Sequence, residues 1–257
     1  MAAAGPLLTE RRGPVLLITL NRPDVRNAVD LPLAEGMAAA LDLLDEDPEL
    51  RVGVVTGAGK GFCAGMDLKA FAETGVRPWV GDRGFAGIVR RPPRKPLVAA
   101  IEGFAVAGGF EIALACDLIV AARGAKLGIP EVRRGLVAAG GALRRLPRRF
   151  PASLAIELAL TGELITAERA YELGTINRLA EPGQALEVAL GLAEAVAAGA
   201  PLALEGTKRI LAEQWSWSDE EFWERQAEIV DPIAASEDAK EGARAFAEKR
   251  EPVWRGR

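Results

Sequence analysis

The chain has no histidine in 257 residues. Imidazole is the usual proton carrier near neutral pH, so any acid–base chemistry must rest on carboxylates, lysine, tyrosine or cysteine. The same absence leaves Ser153, Ser216, Ser218 and Ser236 without the base of a serine–histidine triad, and it removes the common zinc constellations. Cysteine is almost as scarce. Cys63 and Cys116 are too few for a disulfide scaffold or an all-cysteine metal site. A nucleophilic thiol needs a base or cation beside it, so both are expected to be small buried residues. Basic excess is missing too. A net charge of −4 argues against nucleic acid, or an anionic membrane, as the main partner. The one long apolar stretch, Phe104 to Ala122, carries Glu111 and Asp117, and a central charge costs about 2.5–3.5 kcal/mol on insertion. No membrane span is expected. Met1 to Pro6 shows no basic region leading into an apolar core, so a cytoplasmic protein is expected.

What is present suits one large domain with a helical appendage. Apolar residues make up 49% and charged residues 26%, enough for a core and a soluble surface. Val15–Leu20, Val52–Thr56, Leu97–Ile101 and Leu118–Ala121 read as short buried strands. Leu31 to about Leu44 reads as a helix with Pro32 in its first turn, where the missing N–H costs nothing. A short helix is predicted from Gly109 to Ala115. Residues 66–96 read as irregular and mobile. Beyond about residue 180 the pattern is helical throughout, over 185–198, 201–214, 218–230 and 236–249. Ser218 with Glu221 forms a capping box, and Ser236 starts the last helix. The division expected is a body, 1–198, and a helical region, 199–257.

Three segments carry the chemistry. Ala64-Gly65-Met66-Asp67-Leu68 lets backbone N–H groups turn inward, as stabilisation of an oxyanion requires. Gly108-Gly109-Phe110-Glu111 opens a helix whose free N–H groups favour negative charge. Gly128-Ile129-Pro130-Glu131 brings a second acid, ahead of Gly140-Gly141. Each has a plain alternative: an ordinary glycine loop, an acid suited to the helix dipole, a solvated loop acid. Their order and spacing together outweigh those alternatives. Gly57-Ala58-Gly59-Lys60-Gly61 lacks the spacing of a phosphate loop. Trp215, Trp217, Phe222 and Trp223 are expected to pack rather than stack on bases.

With Asn21-Arg22-Pro23, Asn27-Ala28, Lys95-Pro96 and Cys116-Asp117, these segments resemble the enoyl-CoA hydratase branch of the crotonase superfamily. The tail Ser236-Glu237-Asp238-Ala239-Lys240-Glu241-Gly242 with Phe246 and Lys249 extends the resemblance from about Val15 to Trp254. It implies an α/β fold, a spiral of repeated ββα units with an all-helical C-terminal trimerisation region. It implies hydration of a trans-2-enoyl-CoA to a 3-hydroxyacyl-CoA by Glu111 and Glu131, with the N–H groups of Met66 and Gly108 as oxyanion donors. Coenzyme A would lie along Asp24, Val25, Arg26 and Ala28 and against Ala64, Asp67 and Leu68. It would be part of the substrate, with no separate cofactor and no metal. A homotrimer or a hexamer of two trimers is expected. Rival readings are a dehydratase or racemase on another CoA ester such as carnitinyl-CoA, an isomerase, a non-catalytic acyl-CoA binder and, least, an RNA binder. The chain departs from its relatives at Glu102, Met66, Arg133, Arg134, Val137 and Ala138.

Overall fold

Four apolar runs, buried on both faces, form the body of the protein. The computed structural model describes residues 5–257, so Met1–Ala4, on which part of the reading of the N-terminal segment falls, lie outside the described residues. Val15–Leu20, Val52–Gly57, Leu97–Ile101 and Leu118–Ala122 are neighbouring parallel strands of a six-stranded sheet. Parallel strands covered on both sides take unbroken Val, Ile, Leu and Ala runs rather than alternating ones. Leu7–Arg12 adds an antiparallel edge, and Arg178–Ala180 adds a parallel one at the far side.

One face packs Leu16, Ile18 and Leu20 against Leu33, Met37, Leu41 and Leu44 of the helix Leu31–Glu46. The other packs Val15, Leu17, Val52 and Val54 against Ala185, Ala189, Ala193 and Ala197. That spacing of four places the alanines on one side of the helix Ala185–Ala197, and their small side chains let it lie close to the strands. Glu102 caps the helix from a distance. Its carboxylate accepts from Ala185 N at 2.9 Å and Gly183 N at 3.2 Å. The unusual acid at this position therefore satisfies N–H groups that the helix itself cannot.

A second sheet is three-stranded, ordered Ile165–Thr166, Lys126–Gly128, Phe104–Val106. Each long strand hands the chain to a short one and then to a helical segment. Leu97–Ile101 leads to Phe104–Val106 and the helix Gly108–Ala115, while Leu118–Ala122 leads to Lys126–Gly128 and the 3-10 turn Pro130–Arg134. Val52–Gly57 leads to Cys63, which bridges Ala105, and then to the helix Leu68–Thr74. The architecture is the expected spiral of ββα units with a helical C-terminal region.

Residues 66–96, expected to be irregular and mobile, are instead structured. Besides Leu68–Thr74 they contain a hairpin of Trp79–Val80 with Gly84–Phe85. Phe85, Ala86, Ile88 and Val89 are buried, and the buried Arg83 ties the hairpin to Asp42 and to the Arg91 carbonyl. Phe104–Ala122 resolves into strand, helix and strand. No single helix among the described residues is long and apolar enough to cross a membrane.

The tail helices are Pro201–Glu213, Asp219–Ala234 and Glu237–Glu248. The capping box of Ser218 and Glu221 is present, and Ser236 accepts from Ala239 N. Lys208 fastens the first of these helices to the body, donating to Asp117 at 2.7 Å and to the Lys95 carbonyl at 2.9 Å. Trp254 fastens the C-terminal segment through Nε1 to the Ala198 carbonyl at 2.7 Å.

Candidate active site

The register of the small sheet gathers the site. Cys63 pairs with Ala105, and Ala105 pairs with Leu127. A few residues beyond each of these neighbours the chain leaves its strand, at Met66, at Gly108 and at Pro130–Glu131. Three segments far apart in sequence thus emerge along one edge. They open into a cavity of about 340 Å³ lined by Ala64, Met66, Leu68, Gly108, Glu111 and Glu131. Phe71, Arg77, Trp79, Phe85, Arg134, Leu136 and Val137 complete most of its wall.

Two backbone donors face it. Met66 N and Gly108 N have no hydrogen-bond acceptor among the described residues. Gly108 is the first residue of its helix, where the N–H has no intrahelical partner. Each donor follows a residue with unusual backbone geometry. Gly65 stands at φ +93, and Ala107 at φ 52 and ψ −131. A non-glycine residue at positive φ costs roughly 1–3 kcal/mol and persists only where its surroundings fix it. At Ala107 they do, because its N–H donates to the Gly128 carbonyl at 2.9 Å and its carbonyl accepts from Phe110 N and Glu111 N.

The two acids occupy different environments. Glu111 is buried in the first turn of its helix, and its Oε1 accepts from Ala142 N at 3.1 Å. Glycine at 140 leaves room for the Glu111 carboxylate, which a Cβ at that position would displace. Burial raises the Glu111 pKa, while the Ala142 and Gly140 N–H groups and the Arg145 guanidinium pull it back. Glu131 has less support. Its Oε2 is buried with no hydrogen-bond partner among the described residues. Burial, with a further push from the Glu111 charge, raises its pKa to about 7, against its own N–H and Arg134. One acid is equipped to hold a negative charge and the other to hold a proton.

Of the other predicted contacts, Ala64 and Leu68 line the cavity. The Asp67 carboxylate is engaged elsewhere, capping Ala70 N at 3.0 Å and pairing with Arg22 at 2.9 Å. Asp24, Val25, Arg26 and Ala28 lie beyond the lining, on a turn that abuts it through Ala64 N donating to the Arg26 carbonyl at 3.1 Å. Cys63 and Cys116 are buried, and burial pushes both thiols up to about 12. The wall contributed by Arg77, Trp79 and Phe85 lies outside the sequence-based expectation, although the aromatic residues of that stretch were the available signal.

A larger apolar groove, about 430 Å³, lies among the tail helices. Its one acid, Asp238, is occupied by Arg255 N and Gly256 N at 2.7 and 2.8 Å. It offers no paired acids and no reactive group.

The profile of the enoyl-CoA hydratase/isomerase family matches residues 10–257. An enoyl-CoA hydratase of Mycobacterium tuberculosis is 42% identical over 261 residues, spanning 99% of this chain and 98% of that protein. A carnitinyl-CoA dehydratase of Salmonella typhimurium is 42% identical over 255 residues, spanning 96% and 97%. The crystal structure of an enoyl-CoA hydratase from Mycobacterium marinum superposes with a TM-score of 0.97 at 55% identity, covering 99% of this chain and 100% of that one.

Proposed function

The chain belongs to the enoyl-CoA hydratase/isomerase family, and from that premise we propose that it catalyses reversible syn addition of water to a trans-2-enoyl-CoA. The observation that carries this reading is the pairing of two unlike carboxylates across a cavity that also holds two unpartnered N–H groups. The thioester oxygen accepts from Met66 N and Gly108 N. That draws electrons from C3 and stabilises the enolate that follows attack, since donors aimed at developing charge act strongly away from water. Glu111, as carboxylate, takes a proton from water as the oxygen bonds to C3. Glu131, as acid, gives its proton to C2 on the same face. Dehydration runs the same steps backwards, so a 3-hydroxyacyl-CoA loses water at the same site. The decisive assay is the loss of enoyl-thioester absorbance on crotonyl-CoA and its longer homologues. Binding of these esters with no turnover would sink the reading and favour an acyl-CoA binder.

The pH dependence follows from the pair. In either direction the active form carries one proton on two carboxylates. Hydration and dehydration should therefore share one bell-shaped profile of kcat/KM. The alkaline limb reports loss of the Glu131 proton, so activity should decline as pH rises through about 7. The acid limb reports protonation of Glu111 and lies above the ordinary carboxylate range. A rate still rising well above neutral pH would contradict the assignment of the acid.

A homotrimer or hexamer is the assembly we propose, in the cytoplasm. Leu211, Trp215, Trp223, Phe246 and Val253 are 59%, 61%, 71%, 87% and 66% exposed on the protomer, all in the helical tail. An apolar surface of this kind is characteristic of an interface, and closed symmetry is the usual way to cover it. Truncation after about residue 200 should abolish assembly and activity together. It would also strip Lys208 from Asp117, so Trp223→Glu provides the cleaner test, because little of that side chain is buried in the protomer. Sedimentation should show the parent as a trimer or hexamer and this variant as smaller species. A fully active monomeric parent at micromolar concentration would overturn the proposal.

A further inference from the structure

The acid–base pair has a neighbour that the reaction above does not use. Glu111 rests on the turn Gly140-Gly141-Ala142, whose Ala142 N–H donates to its Oε1 at 3.1 Å. The helix Ala142–Arg149 follows directly, and it returns Arg145 to the same three residues. Arg145 Nη1 occupies the space that a Cβ at Gly141 would take, just as Glu111 Oε2 occupies that space at Gly140. The guanidinium donates to the Val89 carbonyl at 2.6 Å and makes a longer contact to the Gly140 carbonyl at 3.4 Å. Arg145 is half-buried and is not part of the cavity wall, so it acts on the substrate only through other groups.

Its partners are unusual for a cation drawn away from water. Arg83, which is buried, meets the Asp42 carboxylate as well as a carbonyl. Arg149, one helical turn beyond Arg145, is directed to the Cys116 and Asp117 carbonyls. Both hydrogen bonds of Arg145 end on main-chain carbonyls, which do not cancel a full charge. The acid that faces this charge is Glu111, against the like charges of Arg144 and Arg149 and beside a Cys116 thiol that stays neutral. Glu111 in turn faces Glu131, and two such negative charges repel. Val89 adds a second link. It closes the buried segment that begins at Phe85, whose ring occupies the space of a Cβ at the donor Gly108.

We propose that Arg145 is a positioning residue for hydration: it holds the Gly140–Ala142 turn against Glu111 and supplies the counter-charge that keeps Glu111 a carboxylate while Glu131 keeps the proton. The inference rests on the hydratase reading for the roles of the two acids. One proton on two carboxylates has two arrangements, and only the one with Glu111 ionised can take a proton from water. Burial favours the neutral form of both. A fixed positive charge near one of them decides which ionises. Arginine suits the task because it keeps its proton throughout the range in which carboxylates titrate.

The test compares the parent with Arg145→Lys and Arg145→Gln on crotonyl-CoA across pH. Arg145→Gln should lower kcat about tenfold and move the acid limb of kcat/KM to higher pH, since Glu111 then protonates more readily. The alkaline limb, set by Glu131, should move less, so the bell narrows. Arg145→Lys keeps a charge without the fork, so its acid limb should stay closer to that of the parent. A residue that only held the turn would lower kcat or Tm and leave both limbs in place. An Arg145→Gln profile that superposes on the parent after scaling would therefore overturn the proposal, as would an equal displacement in the lysine variant. Thermal melts at mildly alkaline pH give a second readout, independent of turnover. Arg145→Gln should cost less Tm on top of Glu111→Gln than on the parent, because no buried carboxylate is then left without its counter-charge. Equal losses, or an unfolded Arg145→Gln variant that Glu111→Gln does not rescue, would refute the coupling. If the parent hydrates no enoyl-CoA, the hydratase reading fails, and the melts alone decide whether Arg145 is the counter-charge of Glu111.

Discussion

Glu111→Gln and Glu131→Gln should each lower kcat for hydration by about 10²–10⁴-fold, the usual worth of a positioned acid or base. Glutamine keeps size and polarity but can neither take the proton of water nor supply one to C2. The two losses should not add, because residues acting as one unit fail together. Stability should respond differently at the two positions. Glu131 has a folded-state pKa of about 7, raised chiefly by burial, above the ordinary carboxylate value of the unfolded chain. Its protonated form is therefore the one the fold favours, and the parent loses stability as pH climbs toward 7. The Glu131→Gln variant has no proton to lose there, so its Tm minus that of the parent should grow over this range and level off above it. The Glu111→Gln variant retains an acceptor for Ala142 N but presents an amide group where the Gly140 N–H approaches, and a modest loss of Tm is expected. Near-parental kcat in either variant would remove that residue from the chemistry. A Tm difference for Glu131→Gln that ignores pH would contradict the buried, protonated state assigned to it.

Those acids were legible in the sequence; the reason they meet was not. The four long strands announced themselves because burial on both faces demands unbroken apolar runs, as in Val15–Leu20. Leu7–Arg12 did not, since five of its six residues are exposed and its pairing is set by the neighbouring strand. The short strands Phe104–Val106 and Lys126–Gly128 span three residues each, too few for any period to show. Yet their register, continued by the Cys63–Ala105 bridge, brings Met66, Gly108 and Glu131 to one edge. Order and spacing along the chain pointed to a site, and the resemblance supplied roles, but distances depend on pairings between segments far apart in sequence. Arg77 escapes a sequence reading for a similar reason. It lies in a connecting stretch whose packing is fixed by Phe85, Ile88 and Val89, residues with no helical or strand period between them.

Gly65→Ala should cost about 10²–10³-fold in kcat, as removal of one oxyanion donor does. The added methyl group would sit 2.9 Å from Gly108 N and 3.0 Å from the Ala107 Cβ. Neither neighbour can yield cheaply. Gly108 N opens a helix, and Ala107 is already held at φ 52 by its bonds to Gly128, Phe110 and Glu111. Gly65 itself stands at φ +93, a conformation that an L side chain resists. Relief on either side turns the Met66 or Gly108 N–H away from the thioester oxygen. Because such donors act mainly on the developing enolate, KM should change much less than kcat. Met66→Ala is the matching control. It alters the side chain next to the same peptide group but leaves the N–H in place, so most of kcat should remain, with a shift in acyl-chain preference. Gly108→Pro is the less informative variant. Its ring would require an extended residue before it, whereas Ala107 is fixed at φ 52 and ψ −131, so folding itself would suffer. Steady-state kinetics of the Gly65 and Met66 variants, beside their thermal melts, settle the matter. Near-parental kcat in folded Gly65→Ala would dismiss the oxyanion assignment, and an equally deep loss in Met66→Ala would move the role from its backbone to its side chain.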